Sequence, residues 1–145
     1  MRPCRTSLKI LHVQGYEYSG YRARIYDIKS YFDENMRLLC PENVAQLFPT
    51  ERPVYTKVRD EAPVRYAMDC QVHRCIVADG CIIEGEVENS ILFRGVRVEK
   101  GAKVSGCVLM QGTAVQAGAV LKYAITDKNV RVNPGRMLMG HNTYP

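Results

Sequence analysis

The sequence predicts a mainly β protein built around a parallel β-helix of about four coils. Two observations support this prediction. Aliphatic residues recur at matching places in four segments, which begin at Val72, Val87, Val104 and Leu121. Each segment also carries a Gly or Asn at a fixed place, as a corner with positive φ requires. Side chains that recur once per coil stack on one another, so we expect a continuous inner ladder.

The repeat is defined by columns of residues that hold the same place in successive segments. Three aliphatic columns are Val72, Val87, Val104 and Leu121; Ile76, Ile91, Val108 and Ile125; and Ile83, Val98, Val115 and Val132. Small residues form a fourth column (Cys75, Ser90, Cys107, Ala124), and corner residues form two more (Gly80, Gly95, Gly112, Asn129; and Gly85, Gly101, Gly118, Gly135). No apolar run reaches the roughly 18 residues of a membrane span.

Two short strands are expected over residues 8–26, broken near Gly15 and Gly20. The aromatic and β-branched residues of this stretch favour strands. An isolated hairpin is only marginally stable in water. The strand pair is therefore expected to need support from the β-helix or from another domain.

One or two helices are expected next. Asp27 is a suitable N-cap for a helix over 27–39, whose apolar residues fall on one face. Cys40 precedes Pro41 and ends this helix, and Pro41 can open a short second helix over 42–48. Residues 54–58 alternate as a strand, 60–63 lead into the first coil, and 137–145 are expected to cover the open end of the β-helix.

Composition narrows the classes of function. The 145 residues carry a net charge of +5, and the basic residues are scattered, so a small anion is a better ligand than a nucleic acid. The start of the chain lacks the apolar core of a secretory signal, and no segment is expected to span a membrane. The six cysteines contain no CxxC motif, which indicates reduced thiols and a cytoplasmic location without a metal site.

Residues 8–139 resemble the C-terminal part of bacterial glucose-1-phosphate adenylyltransferases, and in particular the GlgD-type subunit of glycogen biosynthesis. The segments that carry this resemblance are GYEYSGY (15–21), SYFDENM (30–36), RPVYTKV (52–58), VADGCIIEG (77–85), VENSILFRG (87–95) and ITDKN (125–129). The resemblance implies a left-handed β-helix of the hexapeptide-repeat type. The left hand comes from the family alone, because the columns do not fix it.

The resemblance also implies a division of the chain. Residues 1–26 would be remnant strands of a missing nucleotidyltransferase domain, 27–71 a helical linker with a crossover strand, and 72–145 the β-helix domain. This chain has no Gly-rich phosphate loop between a strand and a helix. ATP and Mg²⁺ are therefore expected only in the missing catalytic domain, and this chain is expected to hold no cofactor and to be inactive alone.

The implied role is allosteric regulation and oligomerisation of an enzyme that makes ADP-glucose for glycogen. Expected partners are copies of the chain or a catalytic adenylyltransferase subunit, together with a phosphorylated effector. Catalytic relatives carry Gly-Tyr-Trp-x-Asp where this chain has residues 20–24, so Arg24 replaces an Asp associated with metal and substrate. A permanently positive guanidinium cannot ligate a cation.

The candidate anion-binding residues are Arg22, Arg24, Arg94, Arg97, Asp127 and Lys128. Asp127 and Lys128 match a family segment that belongs to an effector site. Arg94 and Arg97, with Lys100 and Lys103, could line a second anionic site. The simpler interpretation makes 127–129 a polar corner and the arginines solvated surface charges.

Other functions stay open. A stand-alone hexapeptide-repeat acyltransferase would need a catalytic His in a groove between subunits and about twice as many coils. A zinc hydratase would need three His side chains around the metal, and His12, His73 and His141 do not share the coils. An inert scaffold would assemble and bind no ligand.

Overall fold

The computed structural model describes residues 14–56 and 59–145. The described part begins with two helices, α1 over Ile28–Arg37 and α2 over Pro41–Leu47. Short strands then follow one another to the C-terminal tail. Across the described residues, no helix is long and apolar enough to cross a membrane.

Both helices begin where their capping residues allow. The Asp27 carboxylate accepts a hydrogen bond from the Ser30 backbone N–H at 2.6 Å, and the Ser30 hydroxyl accepts one from the Asp27 N–H at 3.0 Å. This reciprocal capping box satisfies two backbone donors that the first helical turn leaves unpaired. Pro41 occupies the first turn of α2, where a missing N–H costs nothing. The two predicted helices are confirmed, and Phe32 is the buried residue of α1.

The strands form three parallel sheets, which are the three faces of a β-helix. The first face contains β1 (Arg65–Tyr66), β4 (Ile82–Ile83), β7 (Arg97–Val98), β10 (Ala114–Val115) and β13 (Arg131–Val132). The second contains β2 (Gln71–His73), β5 (Glu86–Glu88), β8 (Lys103–Ser105), β11 (Val120–Lys122) and β14 (Met137–Met139). The third contains β3 (Ile76–Val77), β6 (Ile91–Leu92), β9 (Val108–Leu109) and β12 (Ile125–Thr126). Each strand pairs with strands one coil away.

The inner ladder lies where the sequence predicts it. Val72 pairs with Val87, which pairs with Val104, which pairs with Leu121. The last three are at most 2% exposed and belong to one continuous core. The column that ends at Val132 stacks in the same way on the first face. Burying each such side chain contributes roughly 1.5–3 kcal/mol, so the ladder is the main source of stability.

The remaining aliphatic column faces outward, which corrects the prediction that it joins the inner ladder. Neighbouring residues in a strand point to opposite sides, and on the third face it is Leu92 and Leu109 that enter the core. Ile91 and Val108 are buried but lie outside that core. The helical segment lies against this outer side, where Leu38 shares a groove with Ile91.

Most predicted corners have the expected backbone. Gly80, Gly95, Gly112 and Asn129 all have φ between 57° and 75°. Gly85 does not have a positive φ, because the first coil is shorter at this corner. Val72 and Val87 are 15 residues apart, whereas each later pair of ladder partners is 17 apart. A Cβ on Gly85 would collide with the Ala102 carbonyl oxygen and lie 2.8 Å from that of Glu99.

A third set of corners carries no glycine pattern in the sequence. Arg74, Asn89, Gly106 and Tyr123 occupy it, with φ between 47° and 61°. The small-residue column follows directly and fits its predicted place in a tight corner. The Ser90 hydroxyl there donates to the Glu88 carbonyl at 2.7 Å and accepts from the N–H of Cys107 at 3.0 Å.

The predicted N-terminal strand pair is absent over residues 14–26, and residues 8–13 lie outside the described part. These residues have no neighbouring strand with which to form a ladder. Tyr21 instead attaches the segment to α1, where its hydroxyl donates to the Glu34 carboxylate at 2.7 Å. The predicted strand over 54–58 is likewise irregular at 54–56, and 57–58 lie outside the described residues.

The C-terminal tail extends the β-helix instead of covering its end. β14 pairs with β11 and places Leu138 above Leu121 in the ladder. Leu138 is 46% exposed, because no further coil lies above it within the described residues. The expectation that 137–145 close the open end is therefore wrong for β14. Beyond it, His141 and Tyr144 form a single antiparallel bridge.

Candidate anion-binding ridge

One corner of the β-helix carries basic and amide side chains in register. Arg94, Gln111 and Lys128 follow the third-face strands of three successive coils, and we call this column the cationic ridge. The Gly112 N–H donates to the Arg94 carbonyl at 3.0 Å, and the Asn129 N–H donates to the Gln111 carbonyl at 2.8 Å. Adjacent parallel strands are about 4.8 Å apart, so the ridge places the Arg94 and Lys128 backbones roughly 10 Å apart.

Local hydrogen bonds fix the backbone around Lys128. The Asp127 carboxylate accepts from the Lys128 N–H at 2.7 Å, and the Asp127 carbonyl accepts from the buried Thr113 hydroxyl at 3.2 Å. Asn129 follows with φ of +57°. Asp127 and Asn129 thus serve as corner residues. In the described part of the chain, the Lys128 ammonium forms no ion pair.

A groove of about 380 Å³ lies beside the ridge. Thr56, Arg59, Phe93, Arg94 and Gln111 line it. Two arginines therefore line one concave surface together with a threonine and a glutamine. Guanidinium groups bind phosphate and carboxylate oxygens in a bidentate manner, so the groove suits an anion. Sequence reasoning missed Arg59, because it is remote from Arg94 along the chain.

Not all the predicted site residues meet. Arg97 lies in β7 on the first face, in register with Ala114 and Arg131, and so stands apart from the ridge. Lys103 forms an ion pair with Glu86 at 2.9 Å on the second face. Arg22 and Arg24 are exposed in the irregular N-terminal segment. The structure thus places Arg94 and Lys128 in one column of the β-helix and places Arg59 in the same groove as Arg94.

The thiols and imidazoles form no reactive cluster in residues 14–56 and 59–145. The five cysteines there are free thiols. Burial raises the pKa of Cys107 to about 11 and also raises the pKa values of Cys75 and Cys81. The thiolate is the nucleophilic form, so these side chains are protected rather than activated. The same residues contain no group of three His, Cys, Asp or Glu side chains that could bind a metal ion.

A family model described as "GlmU-like, C-terminal hexapeptide" matches residues 61–144. The chain belongs to this hexapeptide family. The match covers the entire β-helix and begins just before β1. The fold and the assignment therefore agree on where the repeating part of the chain lies.

Two kinds of curated protein are similar to this hexapeptide protein. It is 42% identical over 130 residues to "Glycogen biosynthesis protein GlgD" of Bacillus subtilis (strain 168), covering 90% of this chain and 38% of the relative. It is 34% identical over 123 residues to a "Glucose-1-phosphate adenylyltransferase" of Bacillus cytotoxicus, covering 85% and 33%. A GlgD of Geobacillus stearothermophilus is 50% identical over 70 residues, covering 48% and 20%. The chain spans less than two fifths of the length of these relatives.

Proposed function

We propose that this hexapeptide domain is the C-terminal regulatory and oligomerisation domain of a GlgD-type glucose-1-phosphate adenylyltransferase, acting in ADP-glucose synthesis for glycogen. The observation that carries the proposal is the cationic ridge on a β-helix whose relatives are GlgD and glucose-1-phosphate adenylyltransferase proteins. The domain holds no catalytic residues of its own. It acts by pairing with a catalytic subunit or with further copies and by binding a phosphorylated effector.

The ridge supports effector binding through its charge. Lys128 presents a point charge that can approach a phosphate from several directions, while Arg59 and Arg94 offer planar donors. Gln111 lies between the two ridge cations and adds an amide donor. The backbone beneath Lys128 is held by the Asp127 and Thr113 hydrogen bonds, so only the lysine side chain has to be ordered when the anion binds.

Calorimetric titration with inorganic phosphate and with a sugar bisphosphate tests effector binding. We expect Lys128→Gln and Arg94→Gln each to weaken sugar bisphosphate binding about tenfold, which corresponds to about 1.4 kcal/mol. Arg131→Gln is the matched control, because Arg131 is an exposed arginine on the first face. Unchanged affinity in both ridge variants would refute the effector site.

Mixing the purified chain with a catalytic glucose-1-phosphate adenylyltransferase subunit tests the partner role. We expect the two chains to elute together from a sizing column and the sensitivity of the enzyme to its effectors to change. The chain alone is expected to release no pyrophosphate from ATP and glucose-1-phosphate in the presence of Mg²⁺. Pyrophosphate release by the chain alone would overturn the proposed division of labour.

A further inference from the structure

A second concave surface adjoins the cationic groove. It has a volume of about 290 Å³ and lies between the helical segment and the outer side of the third face. Its walls include Leu38, Val44 and Phe48 from the helical side and Ile76 from the coils. Asn35 is the polar side chain among the lining residues, and its amide N–H already donates to the Tyr31 carbonyl at 2.7 Å. The surface is therefore essentially apolar.

Phe93 joins the two surfaces. It lines both the apolar groove and the groove that contains Arg59 and Arg94, and it is 39% exposed. The apolar groove is thus continuous, at Phe93, with the groove that two arginines line. Asp79 holds the same corner position one coil before Arg94, where the Gly95 N–H donates to its carbonyl at 3.2 Å, so the basic residues of the ridge begin at Arg94.

We propose that the joined grooves bind an amphipathic organic anion. Its phosphate, sulfate or carboxylate head group would contact Arg59 and Arg94, and a short aliphatic or aromatic body would cover Phe93 and Ile76. Small-molecule sites have volumes of roughly 300–1,000 Å³ and combine apolar walls with a few polar groups, as these grooves do. The paired arginines argue against a purely apolar occupant. This site shares Arg59 and Arg94 with the proposed effector site but does not use Lys128, which is not among the residues that line the two grooves.

Hexyl phosphate is a suitable probe, with inorganic phosphate and 1-hexanol as its two halves. Two-dimensional NMR titration of the isotope-labelled chain reports affinity and location together. We expect hexyl phosphate to saturate and to bind at least about tenfold more tightly than either half. The shifted amide signals should include those of Ile76, Phe93 and Arg94. Non-saturating shifts spread over the surface would show an adventitious additive only and would overturn the proposal.

Substitutions at the arginine end and at the apolar end of the joined grooves test the two ends separately. Arg94→Gln should weaken hexyl phosphate binding about tenfold and leave the 1-hexanol shifts unchanged. Phe93→Ser should weaken the binding of both, and Ile76→Thr provides a second apolar variant if Phe93→Ser lowers the thermal midpoint. Arg97→Gln is the matched control, since Arg97 lies in β7 on the first face and is not among the residues that line either groove. Equal hexyl phosphate affinity in Arg94→Gln and Arg97→Gln would contradict the assignment.

Two further results discriminate between occupants and between proposals. Sedimentation velocity tests whether a second copy fills the groove. If the chain forms dimers that Phe93→Ser abolishes, and hexyl phosphate binding does not saturate, then the occupant of the groove is a second copy of the chain and not a small anion. Lys128→Gln should leave hexyl phosphate binding unchanged while weakening sugar bisphosphate binding about tenfold, so the two proposals can fail separately.

Discussion

The side-chain hydroxyls of Thr113 and Thr126 lie 3.0 Å apart in the interior of the β-helix. Thr113 donates to the Asp127 carbonyl at 3.2 Å, so Thr126 is the donor between the two hydroxyls. Thr126 also accepts from the Met110 N–H at 3.2 Å. This buried relay connects the third and fourth coils and holds the corner that presents Lys128.

Thr126→Val tests the relay. Valine has nearly the same shape as threonine but leaves the Met110 N–H without its acceptor, so we expect the free energy of unfolding to fall by about 1–3 kcal/mol. Urea denaturation measures the change. Thr50→Val, at an exposed turn position, is the control. A loss in Thr126→Val no larger than in the control would mean that the relay contributes nothing.

A double-mutant cycle with Thr113→Val isolates the contact between the hydroxyls. Because the two residues share one hydrogen bond, we expect the double variant to lose less stability than the sum of the single variants. The coupling should be roughly 0.5–1.5 kcal/mol. Strict additivity would show that the two hydroxyls act independently.

Gly85→Ala tests the short first corner. The added methyl group would meet the Ala102 and Glu99 carbonyl oxygens, and backbone atoms cannot move aside as a flexible side chain can. We expect a loss of about 1–3 kcal/mol in the free energy of unfolding. Gly15→Ala is the control, because nothing lies within 4 Å of a Cβ there. Equal thermal midpoints for the two variants would refute the close packing of this corner.

The raised pKa of the Cys107 thiol predicts how the free energy of unfolding responds to alkaline pH. Burial raises the pKa of its thiol from the ordinary value of 9.0 to about 11. Between these values the unfolded chain releases a proton that the folded chain retains, so stability from this group falls as pH rises from about 9 to 11. Cys107→Ala should lessen the decline in free energy of unfolding over that range. An equally steep decline in Cys107→Ala would assign it to other groups.

Lys103→Ala tests the ion pair with Glu86 on the second face. Both side chains are about half exposed, so solvent screens their attraction. We expect a change of about 0–1 kcal/mol, which becomes smaller at high salt concentration. A thermal denaturation series in sodium chloride measures it. A salt-independent loss in this variant would point to packing of the lysine stem instead.

Much of the fold follows from local chemistry that the sequence displays. Val87, Val104 and Leu121 recur at a spacing that only stacking explains, and Asp27 before an amphipathic run is a recognisable helix start. These features depend on a few consecutive residues or on a period. They could therefore be predicted without knowing which distant segments meet.

The features that the sequence did not predict correctly depend on tertiary contacts and not on local chemistry. Ile91 and Val108 are as aliphatic as the inner ladder yet lie outside its core, and Ile91 shares a groove with Leu38 of the helical segment, so hydrophobicity alone could not tell the two sides apart. Tyr123 has φ of +50° because the coil demands it, against its own preference. Arg59 lies in the same groove as Arg94 only because of the route that the chain takes into the first coil. Each depends on tertiary contacts between remote segments.

The open end at β14 has a consequence for how the molecule opens. Every coil pairs only with its immediate neighbours, so an outer turn can detach without disturbing the turns beyond the next one. Backbone amides of the middle coils should therefore keep their protons longest, while those near Leu138 exchange with solvent through brief fraying. Opening at that end frees the fourth coil first, and with it the Lys128 corner.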